Sequence, residues 1–166
     1  MSLHFTKATL QNVDAIAALA REIWYEHYPS IISNEQIEYM LQLMYAPSKL
    51  TEQMQRGCVF TMAYSNNDFI GYIATEIEHN TNLFIHKFYI HKSARSSGVG
   101  EQLLNYTLAN NPATTAVDLV VNRKNYKSIN FYFKQGFTII DAFDNNIGGG
   151  YYMNDFKMRL KIKTHE

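Results

Sequence analysis

The sequence predicts an α+β fold, a mixed αβα arrangement in which a sheet of seven strands is flanked by helices. Two observations lead to this fold class. The first half of the chain is mainly helical in its apolar spacing and then gives way to three consecutive strands. After those strands, helices and strands alternate until the chain closes on two strands in succession. A length of 166 residues fits one domain, so we expect a single domain over 1–166.

The region before residue 58 is helical in its spacing, apart from a short first strand at 3–8. Three helices are expected there, over 11–27, 34–45 and 48–56. Asn12 or Asp14 would cap the first helix and Asn34 the second, because these side chains accept bonds from first-turn N–H groups. Pro47 would close the second helix, since proline cannot continue one.

From residue 58 the apolar residues recur with the period of two that is typical of a strand. The predicted strands cover 58–64, 68–78, 82–90, 116–121, 137–143 and 151–161. The predicted helices of this half cover 98–110 and 125–135. The first three strands form an antiparallel run, and the turn at 65–67 joins the first two as a hairpin.

Composition excludes several classes of protein. The chain has 15 basic and 15 acidic residues, and a nucleic-acid-binding protein would show a basic surplus. No apolar run approaches the roughly 18 residues that a membrane helix needs, and the N-terminus is unlike a signal peptide. The lone Cys58 suits a reducing compartment and reads as a core residue. We therefore expect a cytoplasmic protein without nucleic-acid, membrane or metal partners.

The most informative segment joins the strand at 82–90 to the helix at 98–110. This helix opens on Gly98 and Gly100. The free N–H groups of a first helical turn, together with the helix dipole, favour an anion. The two glycines let a phosphate approach the backbone without a side chain in the way. The segment therefore predicts a phosphate-binding turn, to which further side chains add hydroxyl donors and a positive charge: Ser96, Ser97 and Arg95.

An ordinary helix N-terminus, whose glycines only turn the chain, is the alternative interpretation of this segment. It is not a G-x-G-x-x-G dinucleotide fingerprint, because Leu103 stands where the third glycine would be. It is not a Walker A loop either, because no Gly-Lys-Ser/Thr follows. If the turn binds phosphate, the ligand belongs to another class.

The run Arg95-Ser-Ser-Gly98-Val-Gly100 resembles the R/Q-x-x-G-x-G/A motif of the GNAT acetyltransferase superfamily. The resemblance implies a GNAT-like fold with a central, mostly antiparallel seven-stranded sheet. It also implies an enzyme that transfers acetyl from acetyl-CoA to a primary amine. In that family the turn holds the pyrophosphate of acetyl-CoA, and the preceding strand lines the pantetheine arm. Lys92 stands where many relatives carry proline. The cofactor-binding residues implied in this segment are Phe88, Tyr89, Ile90, Arg95, Ser96, Ser97, Gly98, Val99, Gly100 and Glu101.

A second segment is similar to the N-x-x-A/S-x-x-F/L-Y-x-x-x-G-F pattern of the same family. The positions that fit it are Asn125, Ser128, Ile129, Tyr132, Gly136 and Phe137. The resemblance implies that Asn125 and Ser128 bind CoA and that Tyr132 places its phenol near the thioester sulfur as the general acid. Two alternatives stay open. Tyr132 is a packed aromatic residue in the first, and Asn125 is a helix cap in the second, which does not exclude a role in CoA binding.

Three outer segments resemble the PaiA branch of the family, whose members are linked to acetylation of spermidine and other polyamines. These segments cover 20–28, 35–41 and 144–158, so that the resemblance runs over roughly 5–160. It implies that the acceptor is a small amine, with polyamines favoured. The run Gly148-Gly149-Gly150 inside the last segment reads as a hairpin tip rather than a ligand loop.

Carboxylates and aromatic side chains of the first two helices and the C-terminal hairpin are the expected acceptor site. Carboxylates would hold the distal ammonium of a polyamine, while aromatic rings would bind its alkyl spacer. The predicted substrate-binding residues are Trp24, Glu26, His27, Tyr28, Glu38, Tyr151 and Asp155. A solvated helix face is the alternative interpretation of this set.

Acetylation needs a neutral amine, although a free alkylamine has a pKa of about 10.4, so a proton must be removed. The strand at 82–90, where some GNAT enzymes carry a glutamate base, has no carboxylate here. The candidates for the base are Glu76, Glu78, His86, His91 or a chain of waters. A backbone N–H near Ile90 would stabilise the oxyanion. With Cys58 in the core, we expect direct transfer rather than an acyl-enzyme.

Two other functions compete with small-amine acetylation. The acceptor would be a protein or peptide amine in the first, and the chain would be a CoA-binding regulatory module without turnover in the second. The pairing of Tyr132 with the Arg95–Gly100 motif argues against the second. The sequence predicts a monomer or a homodimer.

Overall fold

The computed structural model describes residues 2–163 and contains the predicted elements in the predicted order. The strands are β1 (Leu3–Lys7), β2 (Val59–Ser65), β3 (Asp68–Glu78), β4 (Asn82–Ile90), β5 (Ala116–Asn122), β6 (Thr138–Gly148) and β7 (Tyr151–Lys161). The helices are α1 (Val13–His27), α2 (Asn34–Tyr45), α3 (Pro47–Arg56), α4 (Val99–Ala109) and α5 (Tyr126–Gln135). Short 3₁₀ turns precede α1 and α4, at Leu10–Asn12 and Lys92–Ala94.

The strands form one sheet in the order β1-β2-β3-β4-β5-β7-β6. Strands β4 and β5 pair in parallel between Asn82–Ile85 and Ala116–Leu119. The pairs β1–β2, β2–β3, β5–β7 and β6–β7 are antiparallel. The predicted α+β class and the GNAT-like, mostly antiparallel sheet are thus confirmed.

The chain folds into two compact units. Unit one comprises the chain up to Thr75 together with Lys87–Asn110. Its helices α1, α2 and α3 pack on one another, and their apolar faces are buried. Large side chains in this unit that are almost fully buried are Ile16, Ile23, Ile37, Leu50, Phe60, Met62, Tyr72 and Leu103.

Gly71 lets β3 pass close to the end of β4 within unit one. A Cβ atom at this position would lie 2.6 Å from Ile90 Cδ1 and 2.7 Å from the backbone oxygen of Tyr89. Real side chains do not approach so closely, so only glycine fits here. Because position 71 has no side chain, β3 can lie close to the end of β4, from which the chain continues into the turn before α4.

Unit two comprises Glu76–His86 and the chain from Asn111 onward. Leu119 and Met158 are register partners on β5 and β7, and both are buried. Successive residues of a strand face opposite sides of the sheet, so Asp118 lies on the other face. There it accepts bonds from Arg159 (2.7 and 2.8 Å) and from Asn82 (2.9 Å).

The predicted caps of α1 and α2 are wrong. Asn12 makes no side-chain bond to α1; its side chain accepts from the Thr9 backbone N–H (2.8 Å) and caps the preceding 3₁₀ turn. Ser33 caps α2 by accepting from the Gln36 N–H at 3.1 Å, and Asn34 is already helical. Pro47 begins α3, where its missing N–H costs nothing.

The largest error in the predicted bounds lies in β6, which was expected over 137–143. The strand continues to Gly148 because Asn145 and Asn146 pair with Met153 and Tyr152 of β7. The polar run at 144–146 is thus part of the strand, and the chain reverses only at the glycines that follow. The run Gly148-Gly149-Gly150 is the hairpin tip that the sequence indicated, with positive φ at each residue.

Cys58 is buried just before β2, as the sequence indicated. Among the described residues, no helix is long and apolar enough to cross a membrane.

Candidate active site

The segment between β4 and α4 presents open backbone at the start of a helix. Ser96 and Gly98 have φ values of 63° and 82°, in the left-handed region. Gly98 is the residue before α4, and no side chain caps the helix. A Cβ atom at Gly98 would have only Gln102 Nε2 near it, at 3.8 Å. The first-turn N–H groups of α4 lack partners within the helix by its geometry, so this turn fits a phosphate group.

Arg95 fixes this turn to the rest of unit one. Its Nε donates to the backbone oxygen of Ile90 at 2.9 Å, and its Nη2 donates to Glu26 Oε2 at 2.8 Å. The Arg95 bond lowers the pKa of the Glu26 carboxyl. A predicted cofactor residue and a predicted substrate residue are therefore ion-paired with each other. An ammonium group bound by Glu26 would share that carboxylate with Arg95.

His91 forms a second connection between α1 and the same turn. Its Nε2 lies 2.8 Å from Glu22 Oε1, and its Nδ1 lies 2.8 Å from Ser93 Oγ. Ser97, one of the expected phosphate donors, instead donates its hydroxyl to the backbone oxygen of Ala94. These side chains shape the turn and leave the backbone as its open donor surface.

Aromatic residues of α1 and β4, together with Tyr28 directly after α1, form a cluster in unit one. The hydroxyls of Tyr28 and Tyr89 are 3.0 Å apart. The Trp24 ring lies 4.4 Å from that of Tyr28 and 5.8 Å from that of Tyr89. Trp24 and Tyr28 are buried, and the His27 ring lies edge-on to Tyr28 at 4.9 Å. Sequence reasoning assigned Tyr89 to the cofactor and the others to the acceptor, and the structure brings all four together.

Glu38 belongs to an exposed network on α1 and α2 rather than to the aromatic cluster. Its carboxylate accepts from Arg21 at 2.7 and 3.2 Å and from the Tyr25 hydroxyl at 2.5 Å. Bonds from Arg21 and then from Tyr25 lower the pKa of Glu38 to about 2. Like Glu26, this predicted substrate carboxylate already has a cationic partner.

Lys87 is a buried cation that the sequence analysis did not single out. Its Nζ lies 4.8 Å from the centroid of the Tyr45 ring, a cation–π contact. Burial lowers the pKa of Lys87 to about 8. In the sequence, the one indication of its burial was its position two residues after Ile85 and four after Leu83, which places all three on the same face of β4.

The second predicted segment lies in unit two, at the start of α5. Asn125 is buried and caps the helix by accepting from the Ser128 N–H at 3.4 Å. Tyr132 is also buried, and its ring lies 5.4 Å from that of Phe137. The capping role of Asn125 is confirmed. The burial of Tyr132 is compatible both with a general acid and with a packed aromatic residue.

Asp155 is the remaining predicted carboxylate, and it differs from the others. It lies on β7 in unit two and is only 3% exposed. Burial raises the pKa of the Asp155 carboxyl to about 6, although the nearby charge of Arg123 opposes the shift. Tyr151, at the start of β7, is half-buried. Unit two therefore contains a buried carboxyl group, that of Asp155, whose pKa is close to neutral pH.

Two of the four base candidates form a pair in unit two. His86 Nε2 lies 2.9 Å from Glu76 Oε2, and the Phe84 ring lies 4.8 Å from the His86 ring. Glu78 is the last residue of β3 and lies next to the turn into β4. The described residues contain no group of three or more His, Cys, Asp or Glu side chains placed to hold a metal.

Known proteins share this architecture, and their sequences align over most of this chain. Residues 30–151, more than half of the chain, match the family model described as the acetyltransferase (GNAT) domain. Spermidine N(1)-acetyltransferase of Thermoplasma acidophilum is 27% identical over 153 residues, covering 86% of this chain and 92% of that protein.

Two solved structures illustrate the likeness in three dimensions. The PaiA N-acetyltransferase of Thermoplasma acidophilum, in complex with coenzyme A, has a TM-score of 0.82 at 25% identity and covers 98% of this chain and 100% of its own. Ard1 of Thermoplasma volcanium shares the fold, with a TM-score of 0.77 at 17% identity, and covers 99% and 100%. From the family match over residues 30–151 and the open turn before α4, it follows that this chain belongs to the GNAT acetyltransferases, enzymes whose acetyl donor is acetyl-CoA.

Proposed function

We propose that this enzyme acetylates a primary amine of a polyamine, by direct transfer from acetyl-CoA while both substrates are bound. The observation that carries the proposal is the similarity to a spermidine N(1)-acetyltransferase over 92% of that relative. The likeness to the PaiA N-acetyltransferase in complex with coenzyme A, which covers 98% of this chain, supports N-acetylation and the use of acetyl-CoA. We further propose that residues 1–166 act as one catalytic domain, since the family match runs through both compact units.

The turn before α4 is the proposed site for the pyrophosphate of acetyl-CoA. The backbone N–H groups of Val99, Gly100 and Glu101 are the donors, because Ser97 and Arg95 are bonded within the protein. Arg95 then acts mainly by holding the turn in place. The backbone of Phe88–Ile90 lines the pantetheine arm, and Asn125 with Ser128 binds the cofactor from the start of α5.

Acetyl-CoA supplies an activated acetyl group as a thioester, and the residues of the chain manage the protons and charge. A backbone N–H near Ile90 stabilises the oxyanion. Tyr132 donates its phenolic proton to the departing sulfur. Cys58 is buried before β2, which supports transfer without a cysteine acyl-enzyme.

The acceptor site draws on aromatic and acidic side chains. Rings of the cluster formed by Trp24, Tyr28 and Tyr89 suit the alkyl chain of a polyamine and the positive charge beside it. Glu26 and Glu38 already neutralise arginines, which lowers the negative charge that either can offer to an ammonium group. Tyr151 and Asp155 are the acceptor residues proposed from unit two.

We also propose a cytoplasmic enzyme that acts as a monomer or homodimer on a small molecule. The thiol of Cys58, which forms no disulfide, supports a reducing compartment. Equal numbers of basic and acidic residues support a partner other than nucleic acid.

A steady-state screen with acetyl-CoA, read as thiol release, tests the acceptor class. The panel contains spermidine, shorter diamines, monoamines of similar chain length and a peptide with a free N-terminus. We expect kcat/KM to be highest for the polyamines, because a second ammonium adds binding that a monoamine lacks. A higher kcat/KM for the peptide than for the polyamines would indicate that the acceptor is a protein or peptide amine. CoA binding without turnover of any amine would indicate a regulatory module.

A further inference from the structure

Asp155 lies where β5 ends and the segment leading to α5 begins. In the register of unit two, its partners are Asn122 on β5 and Phe143 on β6. The N–H of Arg123 donates to the backbone oxygen of Asn154 at 3.0 Å. The N–H of Asn125 donates to the backbone oxygen of Asn122 at 2.9 Å. Asp155 is therefore next to the carboxyl end of a parallel strand, the end at which α/β sheets bind ligands.

Asp155 is 3% exposed as a residue, and within residues 2–163 its carboxylate has neither a hydrogen bond nor an ion pair. Its oxygens are not among the fully buried side-chain atoms that lack a partner, so they keep some access from outside. Asp118, on the same face of the sheet, is equally buried but has Arg159, Lys157 and Asn82 around it. Arg123, whose charge acts on Asp155, is paired with Asp144. An unpaired buried carboxylate destabilises a fold, and such groups concentrate at functional sites.

The other candidates for the base are already engaged. Glu76 is bonded to His86, and His91 is bonded to both Glu22 and Ser93. These bonds would have to break, or their protons be shared, before either group accepted a proton from substrate.

The position of Glu78 argues against it as the base. It precedes the turn into β4, whose first residue, Asn82, is in register with Ala116. Ala116 lies six positions before Asn122, or about 20 Å along a strand at 3.3 Å per residue. Glu78 is thus at the opposite end of β5 from the segment that leads into α5.

We propose that the Asp155 carboxylate is the general base that accepts the proton lost by the attacking amine. This inference rests on the proposed function. The ammonium form of the acceptor passes one proton to Asp155, which leaves a neutral nitrogen. This nitrogen forms a bond to the acetyl carbon as the carbon–sulfur bond breaks. The phenolic proton of Tyr132 passes to the sulfur, and the second proton of the nitrogen passes to solvent. Proton exchange with solvent then restores both residues.

The charges around Asp155 are consistent with a base that works near neutral pH. Arg123 favours the charged carboxylate, whereas burial opposes it. The carboxylates on the neighbouring strands are paired, Asp144 with Arg123 and Asp118 with Arg159. Lys157 lies two residues along β7 on the same face and contacts Asp118. Burial dominates and raises the pKa of Asp155 to about 6, so the carboxyl is ionised and able to accept a proton above that pH.

Kinetics of Asp155→Asn with acetyl-CoA and spermidine test the base role. We expect kcat to fall by about 10²–10⁴-fold, while KM for acetyl-CoA changes by less than about twofold. In the wild type, kcat/KM should rise with pH through about 6, and this rise should be absent in the variant. A weakly basic amine, already neutral at the assay pH, should lose less activity, which a merely structural role would not produce.

Asp141→Asn is the matched control, because Asp141 is an exposed carboxylate on the neighbouring strand β6. It should keep the wild-type kcat and pH profile. Asp155→Glu, which retains a carboxylate, should keep more activity than Asp155→Asn. A thermal shift with CoA verifies that each variant is folded.

The outcomes separate this proposal from the one on which it rests. A wild type that acetylates no amine contradicts the proposed function and the base role together. An active wild type with kcat of Asp155→Asn within about threefold overturns the base role alone. A rise in KM for spermidine with unchanged kcat would overturn the base role and leave Asp155 only the acceptor-binding role of the proposed function. Equal losses in the Asn and Glu variants would also overturn the base role.

Discussion

Tyr132 is a buried residue of α5, and removal of one oxygen atom distinguishes its two roles. Tyr132→Phe keeps the ring and its packing on Phe137. If the phenol protonates the departing sulfur, kcat should fall by about 10²–10⁴-fold. Affinity for acetyl-CoA should change little, because the lost interaction matters mainly as the sulfur becomes charged. Steady-state kinetics with acetyl-CoA binding measured in parallel decide between the roles.

Tyr126→Phe is the control on the same helix, since Tyr126 is 68% exposed. Its kcat should match the wild type. A kcat of Tyr132→Phe within about threefold of wild type, with chemistry rate-limiting, would leave Tyr132 as a packing residue and solvent as the proton source.

Asp155 also has a measurable effect on folding. Its pKa is about 6 in the fold, against 3.8 for an unperturbed carboxyl. A raised folded-state pKa means that the protonated form is favoured by folding, so stability is lost as pH rises through 6. At 1.36 kcal/mol per pKa unit, the ionised Asp155 costs about 3 kcal/mol at pH 8. Asp155→Asn should therefore raise the free energy of unfolding at pH 8, with about 3 kcal/mol as the upper limit because the amide also loses hydration.

The gain should fade below about pH 4, where the wild-type carboxyl is protonated both folded and unfolded. Urea unfolding at pH 4 and pH 8 measures the difference. Asp141→Asn provides the comparison, because that carboxylate is exposed. Equal stability of Asp155→Asn and wild type at pH 8 would show that the buried carboxylate is better solvated than its burial indicates.

The turn before α4 is the element on which cofactor binding depends. Gly98→Val places a branched side chain at a φ of 82°, over the open N–H groups. We expect CoA affinity to fall by more than about tenfold, because the side chain occupies the place of the phosphate. Isothermal titration calorimetry with CoA gives the dissociation constant directly.

Gly57→Val is the matched control for backbone strain. Gly57 ends α3 at a φ of 112°, and a Cβ atom there would meet nothing within 4 Å. Both substitutions should destabilise the fold by about 1–2 kcal/mol, the cost of a left-handed conformation. Only Gly98→Val should lose CoA. Unaltered CoA affinity in Gly98→Val would remove the turn from the cofactor site.

Whole elements were more predictable from the sequence than their ends. The period of the apolar residues placed β3 and β4 at their observed bounds, because burial on the sheet imposes that period. Ser33 and Asn34 are both good caps, and only the hydrogen bond to Gln36 decides between them. The polar end of β6 could not be recognised because an exposed edge strand needs no apolar alternation.

The candidate site was predictable in its backbone and less so in its side chains. Gly98 and Gly100 indicate an open helix start whatever surrounds them. The pairing of Arg95 with Glu26 joins residues 69 positions apart, and nothing local to either one indicates it. The lack of a partner for Asp155 could not be predicted for the same reason, because it depends on which side chains pack around it in the fold.

For the whole molecule, binding of CoA should produce a gain in stability. Ligand at about 100-fold over its dissociation constant adds roughly 2.7 kcal/mol by mass action. For a chain of this size that corresponds to a rise in Tm of about 5–11 °C. Differential scanning calorimetry with CoA measures it, and pantetheine, which lacks the pyrophosphate, should give a smaller shift. No rise with millimolar CoA would be incompatible with the cofactor assignment.

The two connections between α1 and the turn before α4 constrain how this chain can vary in length. Glu22 and Glu26 are four residues apart on the helix, and their partners His91 and Arg95 are also four apart. One residue inserted between the glutamates would rotate one of them by about 100° and break its pair. An insertion earlier in the chain, before the helix begins, leaves their spacing intact. Related sequences should therefore tolerate gaps around Thr9 but not between these two glutamates.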